Sequence, residues 1–165
     1  MITNTRLAGI SNTLLADLRQ TQANAMTYGM AWLCPVASGG QAGPDQCGTR
    51  WEDGWQVVRL SQDETGSSTY TRVRLQDPVP RYQDGTPQIT IEAGNNVKNG
   101  VCFNAQGYPQ ELQMGANPSC TGRGTGTFTI CRADRDGIEE DCRDLVIANT
   151  GRMRITEPRE EAHTP

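Results

Sequence analysis

The chain opens on a helical recurrence of apolar positions. Leu7, Ile10, Leu14, Leu18 and Ala25, with Ala23 and Met26 beside them, fall at the spacing of one helical face. Asn4, Arg6, Asn12, Asp17, Gln20 and Asn24 occupy the opposite side. The pattern predicts a single amphipathic helix over residues 4–28, laid by its apolar side on a sheet. After Gly29 the period shortens to that of strands separated by turn residues. Strands are predicted over 30–34, 54–60, 69–75, 88–91 and 101–104, with another over 111–114; 54–60 and 69–75 form a hairpin around 63–68. The clearest hairpin joins 127–133 to 143–148 through Asp136-Gly137, a tight-turn pair. Counting symmetrically from that turn sets Cys131 opposite Cys142, where facing residues come close enough for a disulfide. Segments 37–45 and 115–126 are rich in Gly, Ser, Thr and Pro and read as loops. The expected organisation is an N-terminal helix over 1–28, a β-rich globular domain over 29–156 and a flexible polar tail over 157–165.

The last apolar run, Leu145-Val146-Ile147-Ala148-Asn149-Thr150-Gly151, is followed by Arg152-Met153-Arg154-Ile155. In an extended chain residues two apart share a face, so Arg152 and Arg154 project side by side as a cationic fork that can grip phosphate. Arg143 is a nearby candidate for the same patch. Spacing alone leaves a second use open, because charged side chains on a terminal strand also blunt an exposed sheet edge.

Composition narrows these readings. Only 35% of the residues are hydrophobic and 5% aromatic, with 18 Gly and 9 Pro among 165, which predicts a loop-rich β or α+β domain with a thin core. The net charge of −4 excludes a broad basic surface, so any nucleic-acid contact has to be a local patch. The chain has 14 Arg and one Lys, Lys98, a bias that a GC-rich genome explains without phosphate binding. Six cysteines fall as Cys34/Cys47, Cys102/Cys120 and Cys131/Cys142, with no C-x-x-C for a zinc ribbon. An even count in a small loop-rich chain reads as a disulfide set formed in an oxidising compartment. Nearest-neighbour pairing is the expectation among the possible connectivities, each bridge contributing on the order of 3 kcal/mol. That compartment requires export, yet no signal peptide or membrane span is present; the expectation is that a targeting segment preceded Ile2 and that a start codon replaces it.

Catalysis finds little support. The only histidine, His163, stands in the polar tail, which removes histidine-based triads and H-E-x-x-H zinc sites. Gly122-Arg123-Gly124-Thr125-Gly126 lacks the Gly-Lys-Ser/Thr of a phosphate loop and reads as a flexible loop. Residues 134–139 offer calcium-like oxygens without EF-hand spacing and read as a hairpin turn. Trp51 and Trp55, flanking Glu52-Asp53-Gly54, could stack a base or a sugar if exposed; Trp55 is expected in the core.

Several anchors, taken in order, resemble a known family. They are Leu33-Cys34 and, after a loop, Cys47; Trp51 with Gly54-Trp55; Val101-x-Phe103-Asn104-Ala105-x-Gly107; Phe128-Thr129-Ile130-Cys131; Leu145-Val146-Ile147; and Thr150-Gly151-Arg152-Met153-Arg154. Together, over residues 12–155, they resemble the globular part of minor type IV pilins and pseudopilins of the FimT/FimU/GspH family. Three departures stand out: Gln20-Thr21-Gln22-Ala23 where the family often has Arg-Ser-Glu-Ala, Val57-Val58 where it often has Phe, and an additional Cys102/Cys120 pair. The resemblance implies a pilin-like α+β fold, one helix on antiparallel sheet with disulfide-stapled loops, and no enzymatic activity or cofactor. It implies a long hydrophobic helix, removed here, that anchors the subunit in the inner membrane before assembly and joins other major and minor pilins in an extracellular filament afterwards. FimT-like members that carry Gly-Arg-x-Arg are associated with double-stranded DNA binding in natural transformation, which points to Gly151, Arg152 and Arg154. The alternative expectation is a structural subunit of a pilus tip or a type II secretion pseudopilus that binds no DNA.

Overall fold

The computed structural model describes residues 4–37, 43–44, 46–62, 64–115 and 118–157. Most of the tail with His163, and parts of the loops at 37–45, 63–68 and 115–126, lie outside the described residues. Helix α1 spans Asn4–Tyr28. Ten strands follow: β1 Ala31–Pro35, β2 Trp55–Gln62, β3 Ser68–Leu75, β4 Ile89–Ala93, β5 Val101–Phe103, β6 Pro109–Gln113, β7 Ser119–Thr121, β8 Gly126–Ala133, β9 Glu139–Ile147 and β10 Met153–Thr156. They form two antiparallel sheets rather than one, ordered β3-β2-β1-β5-β6-β7 and β10-β9-β8-β4. Two strands fall outside the predicted ranges: β7, whose Ser-Cys-Thr sequence has no apolar alternation and is carried by pairing with β6, and β10, which the reversal at 148–152 separates from β9 where the sequence read one continuous run.

Helix α1 closes one core against both sheets. Its buried stripe is Leu7, Ser11, Leu14, Leu18, Thr21 and Ala25, alternating steps of four and three. Small Ser11 and Thr21 bring the helix close to the strands, and their hydroxyls donate to Leu7 O (2.8 Å) and Asp17 O (2.7 Å). Ala23 and Met26 fall outside this stripe and are exposed. The stripe packs with Ala31 and Leu33 of β1, Trp55 and Val57 of β2, Phe103 of β5, Phe128 and Ile130 of β8, and Leu145 and Ile147 of β9. Both tryptophans are core residues. Trp51 stands edge-on to Phe128 and donates its indole N–H to Lys98 O at 3.1 Å.

Asp17 corrects the sequence reading. It lies not on the solvent side but buried at 4% exposure. Its Oδ2 accepts the Trp55 indole N–H at 2.8 Å and its Oδ1 accepts the Arg74 Nε–H at 2.6 Å. A lone carboxylate in an apolar stripe would be costly; one with two donors is tolerated.

The far face of the larger sheet is also covered. Trp32, Cys34, Val58, Cys102 and Leu112 form a second cluster, with the Tyr70 ring tilted against Trp32 at a centroid distance of 5.0 Å. Gln56, fully buried on that face, accepts Arg72 Nε–H and donates to Gln46 O (2.8 Å), tying the Cys34–Cys47 loop down. The three bridges are Cys34–Cys47, Cys102–Cys120 and Cys131–Cys142, with Cα separations of 5.7, 5.6 and 4.1 Å. The last sits where Ile130 faces Arg143, and the strands then slip by one residue so that Arg132 faces Glu140. Asp141, at φ 50°, is the extra residue of that bulge.

Asp17→Ala should lower the unfolding free energy by about 3 kcal/mol, since it leaves two donors without their acceptor. Combining Arg74→Ala with Asp17→Asn should be less damaging than Arg74→Ala alone, because a neutral amide tolerates burial where an unpaired carboxylate does not. Urea unfolding followed by tryptophan fluorescence, with the disulfides intact, checks both.

Candidate nucleic-acid interface

Four connections in this chain share one five-residue geometry: 82–86, 104–108, 134–138 and 148–152. In each, the first and last residues close the loop, and a glycine at the fourth position has positive φ (Gly85 90°, Gly107 85°, Gly137 81°, Gly151 90°). Each is a tight turn followed by a left-handed residue. In the second and third, Asn104 Oδ1 and Asp134 Oδ1 each accept two backbone N–H groups of their own loop. The calcium-like cluster at 134–139 therefore spends its first oxygen on the turn.

The fourth connection carries the arginines. Gly151 N–H donates to Ala148 O and Ala148 N–H to Arg152 O, both at 2.9 Å, so the chain reverses and β10 pairs back on β9 with Arg154 facing Val146. Met153 and Ile155 pack on the core. Alternation then turns Arg152 and Arg154 away from it, and both are exposed. They line a depression of about 390 Å³ with Val146, Ala148 and Met153. Among the described residues neither has an ion-pair or hydrogen-bond partner. Other arginines are engaged: Arg74 with Asp17, Arg81 with Asp53, Arg132 with Glu140 and Asp141, and Arg59 over the Tyr28 ring at 3.9 Å.

The structure separates Arg143 from the pair. It faces Ile130 across β8–β9, on the side of the sheet that carries Leu145 and Ile147, and reaches Glu157 at 3.7 Å. Gly151 sits with the pair and is held tightly. A Cβ there would meet Gln22 Nε2 at 2.5 Å and Gly107 O at 2.6 Å. Gln22 is the residue that sequence reasoning passed over. Its amide donates to Gly107 O (2.9 Å) and Gly151 O (3.1 Å), fastening two hairpin loops to α1. The signal was its place in Gln20-Thr21-Gln22-Ala23, where the family often has Glu; an amide can donate to two carbonyls and a carboxylate cannot.

With this geometry in view, the comparisons are direct. The family model described as type II transport protein GspH matches residues 11–151. The chain belongs to that family. It is a minor pilin or pseudopilin of the FimT/FimU/GspH group, whose members are structural subunits. The fold matches the crystal structure of the type IV minor pilin FimU of Pseudomonas aeruginosa PAO1, with a TM-score of 0.55 and 18% identity over 93% of this chain and 90% of that one. No curated protein sequence matches the chain.

Gln22→Glu should cost about 1–3 kcal/mol, because it sets a carboxylate against two carbonyl oxygens. Gly151→Ala should cost about 2 kcal/mol through the positive φ, with the steric clash in addition. Thermal melts give the totals. Hydrogen exchange should show faster opening around 148–153 in both variants than at the β8 amides, which sit in the sheet interior.

Proposed function

We propose that this minor pilin takes part in pilus assembly and binds DNA without sequence preference through Arg152 and Arg154 during natural transformation. The observation that carries the reading is two exposed guanidiniums, Arg152 closing the 148–152 connection and Arg154 on β10, alternating with Met153 and Ile155 of the core and with no counter-ion among the described residues. Such a fork matches phosphate oxygens, which makes binding salt-sensitive and indifferent to base sequence. A net charge of −4 is compatible with this because the patch is local and many subunits of a filament share one DNA. The subunit would sit in the inner membrane and periplasm before assembly and in the extracellular pilus afterwards, held to major and minor pilins by a hydrophobic helix continuing α1.

A second reading is a structural subunit of a pilus tip or secretion pseudopilus whose arginines pair with neighbouring carboxylates. Exposed Met26 (60%), Tyr108 (50%) and Ile138 (59%) offer apolar atoms that a neighbouring subunit would cover.

Arg152→Ala with Arg154→Ala should weaken binding to a random-sequence duplex by roughly tenfold or more and flatten its salt dependence. Stability should change by only about 0.5 kcal/mol, as both positions are exposed. Arg→Lys at both should restore part of the affinity, since charge returns without the planar two-pronged donor. Gel shift and fluorescence anisotropy measure this, and a double variant that binds like wild type would leave the structural-subunit reading in its place.

A further inference from the structure

Arg152 lines two depressions. One is the outer depression shared with Arg154. The other, of about 430 Å³, lies at the seam between α1 and the β9–β10 connection and is lined by Arg19, Gln22, Thr150, Gly151, Arg152 and Met153. Arg19 is exposed and, among the described residues, has no ion-pair or hydrogen-bond partner. Its helical neighbours three and four residues away are Leu15, Ala16, Gln22 and Ala23, none of them charged. The carboxylate nearest in sequence, Asp17, points into the core and is taken by Trp55 and Arg74. Among the described residues no acidic side chain lines the seam depression. Two guanidiniums therefore converge on one concavity that holds a hydroxyl, a pinned glycine and no negative charge.

We propose that Arg19 is a third phosphate contact, so that the DNA backbone runs from Arg154 past Arg152 into the seam and places a phosphodiester between Arg152 and Arg19. This rests on the DNA-binding reading above and extends it from a sheet-edge fork to a track that crosses from strand to helix. Like charges brought together with no partner repel, and an anion between them relieves that repulsion while accepting donors from both sides. Leu15, Arg19, Gln22 and Met26 form one helical stripe, so the Gln22 amide that fastens the 148–152 connection to α1 also fixes Arg152 relative to Arg19. The track is consequently built from two elements with a rigid link between them.

The experiment is anisotropy titration of a labelled random-sequence duplex at several salt concentrations. It compares wild type, Arg19→Ala, Arg19→Gln, the Arg152→Ala/Arg154→Ala double variant and Arg135→Ala. Arg135 is exposed at the opposite end of β9 and serves as the control for net charge. Arg19→Ala and Arg19→Gln should each weaken binding about threefold to tenfold at low salt and reduce the slope of log K against log salt by about 0.9. Arg135→Ala should do neither, and circular dichroism melts should superimpose for all. If the Arg19 variants bind like wild type while the double variant loses binding, the third contact is refuted and the DNA reading stands. If Arg135→Ala weakens binding as much as Arg19→Ala does, the effect is one of net charge and the track is refuted. A double variant that binds like wild type removes the DNA reading and the track with it.

Discussion

Asp17 fixes how the helix sits, and the candidate site follows from that. Its two oxygens are divided between Trp55 on β2 and Arg74 on β3, neighbouring strands of the larger sheet. A carboxylate held at both oxygens sets the helix in rotation and along its axis, which apolar packing alone does loosely because hydrophobic contact is non-directional. About 100° of turn per residue then places Arg19 roughly 200° around from Asp17 and Gln22 roughly 140°. With Asp17 turned to the larger sheet, those two residues are carried to the seam with the smaller one. There Gln22 fastens the 104–108 and 148–152 connections. The cationic surface is thus oriented by a buried anion that it never touches.

A thin core needs other restraints, and their placement is selective. The helix covers one face of the larger sheet, while the other face relies on the Trp32 cluster, the Cys34–Cys47 and Cys102–Cys120 bridges and the loop that Gln56 ties down. Cys131–Cys142 locks β8 to β9 beside the bulge at Asp141, where the ladder is locally interrupted. Each bridge closes a loop of 11 to 18 residues in chain separation and limits the unfolded ensemble where apolar area is scarce.

The parts legible in the sequence were those set by local chemistry. Counting from Asp136-Gly137 gave the β8–β9 register that holds from Ile130 facing Arg143 outward, and with it the Cys131–Cys142 bridge, but next to the turn the pairing is one residue off, Arg132 facing Glu140, and the bulge at Asp141 makes up the difference. The turn residue Gly151 and the two-residue alternation of Arg152 and Arg154 announced an exposed pair on a terminal strand. What stayed hidden depended on partners far away in the chain. Asp17 reads as a surface residue until Trp55 and Arg74, 38 and 57 positions on, supply its donors. Met26 reads as core by spacing, but the buried stripe runs through Ala25 and Thr21 and leaves it exposed. Arg143 is near Arg152 in sequence, yet strand parity and Glu157 take it to the other side. The division of the strands into two sheets has no local signature, since each hairpin is compatible with either arrangement.

The exposed pair at the start of β10, Arg152 just before it and Arg154 on it, has two physical uses that do not compete. β10 ends its sheet, and an unpaired edge invites pairing with another chain unless charge or a partner blunts it. Any two charged residues at alternating positions would serve that end. Edge protection does not require a hairpin held by a positive-φ glycine, with its loop carbonyl bonded to a helix eighty or more residues away in the sequence. Nor does it require a further unpaired arginine facing the same concavity from α1. Rigid support also helps side chains that must meet a ligand of fixed geometry, because a preorganised donor loses less freedom on binding than a mobile one. The rigid mounting of Arg152 beside α1 therefore suits either use, and a ligand of fixed geometry would gain from it where a blunted edge would not.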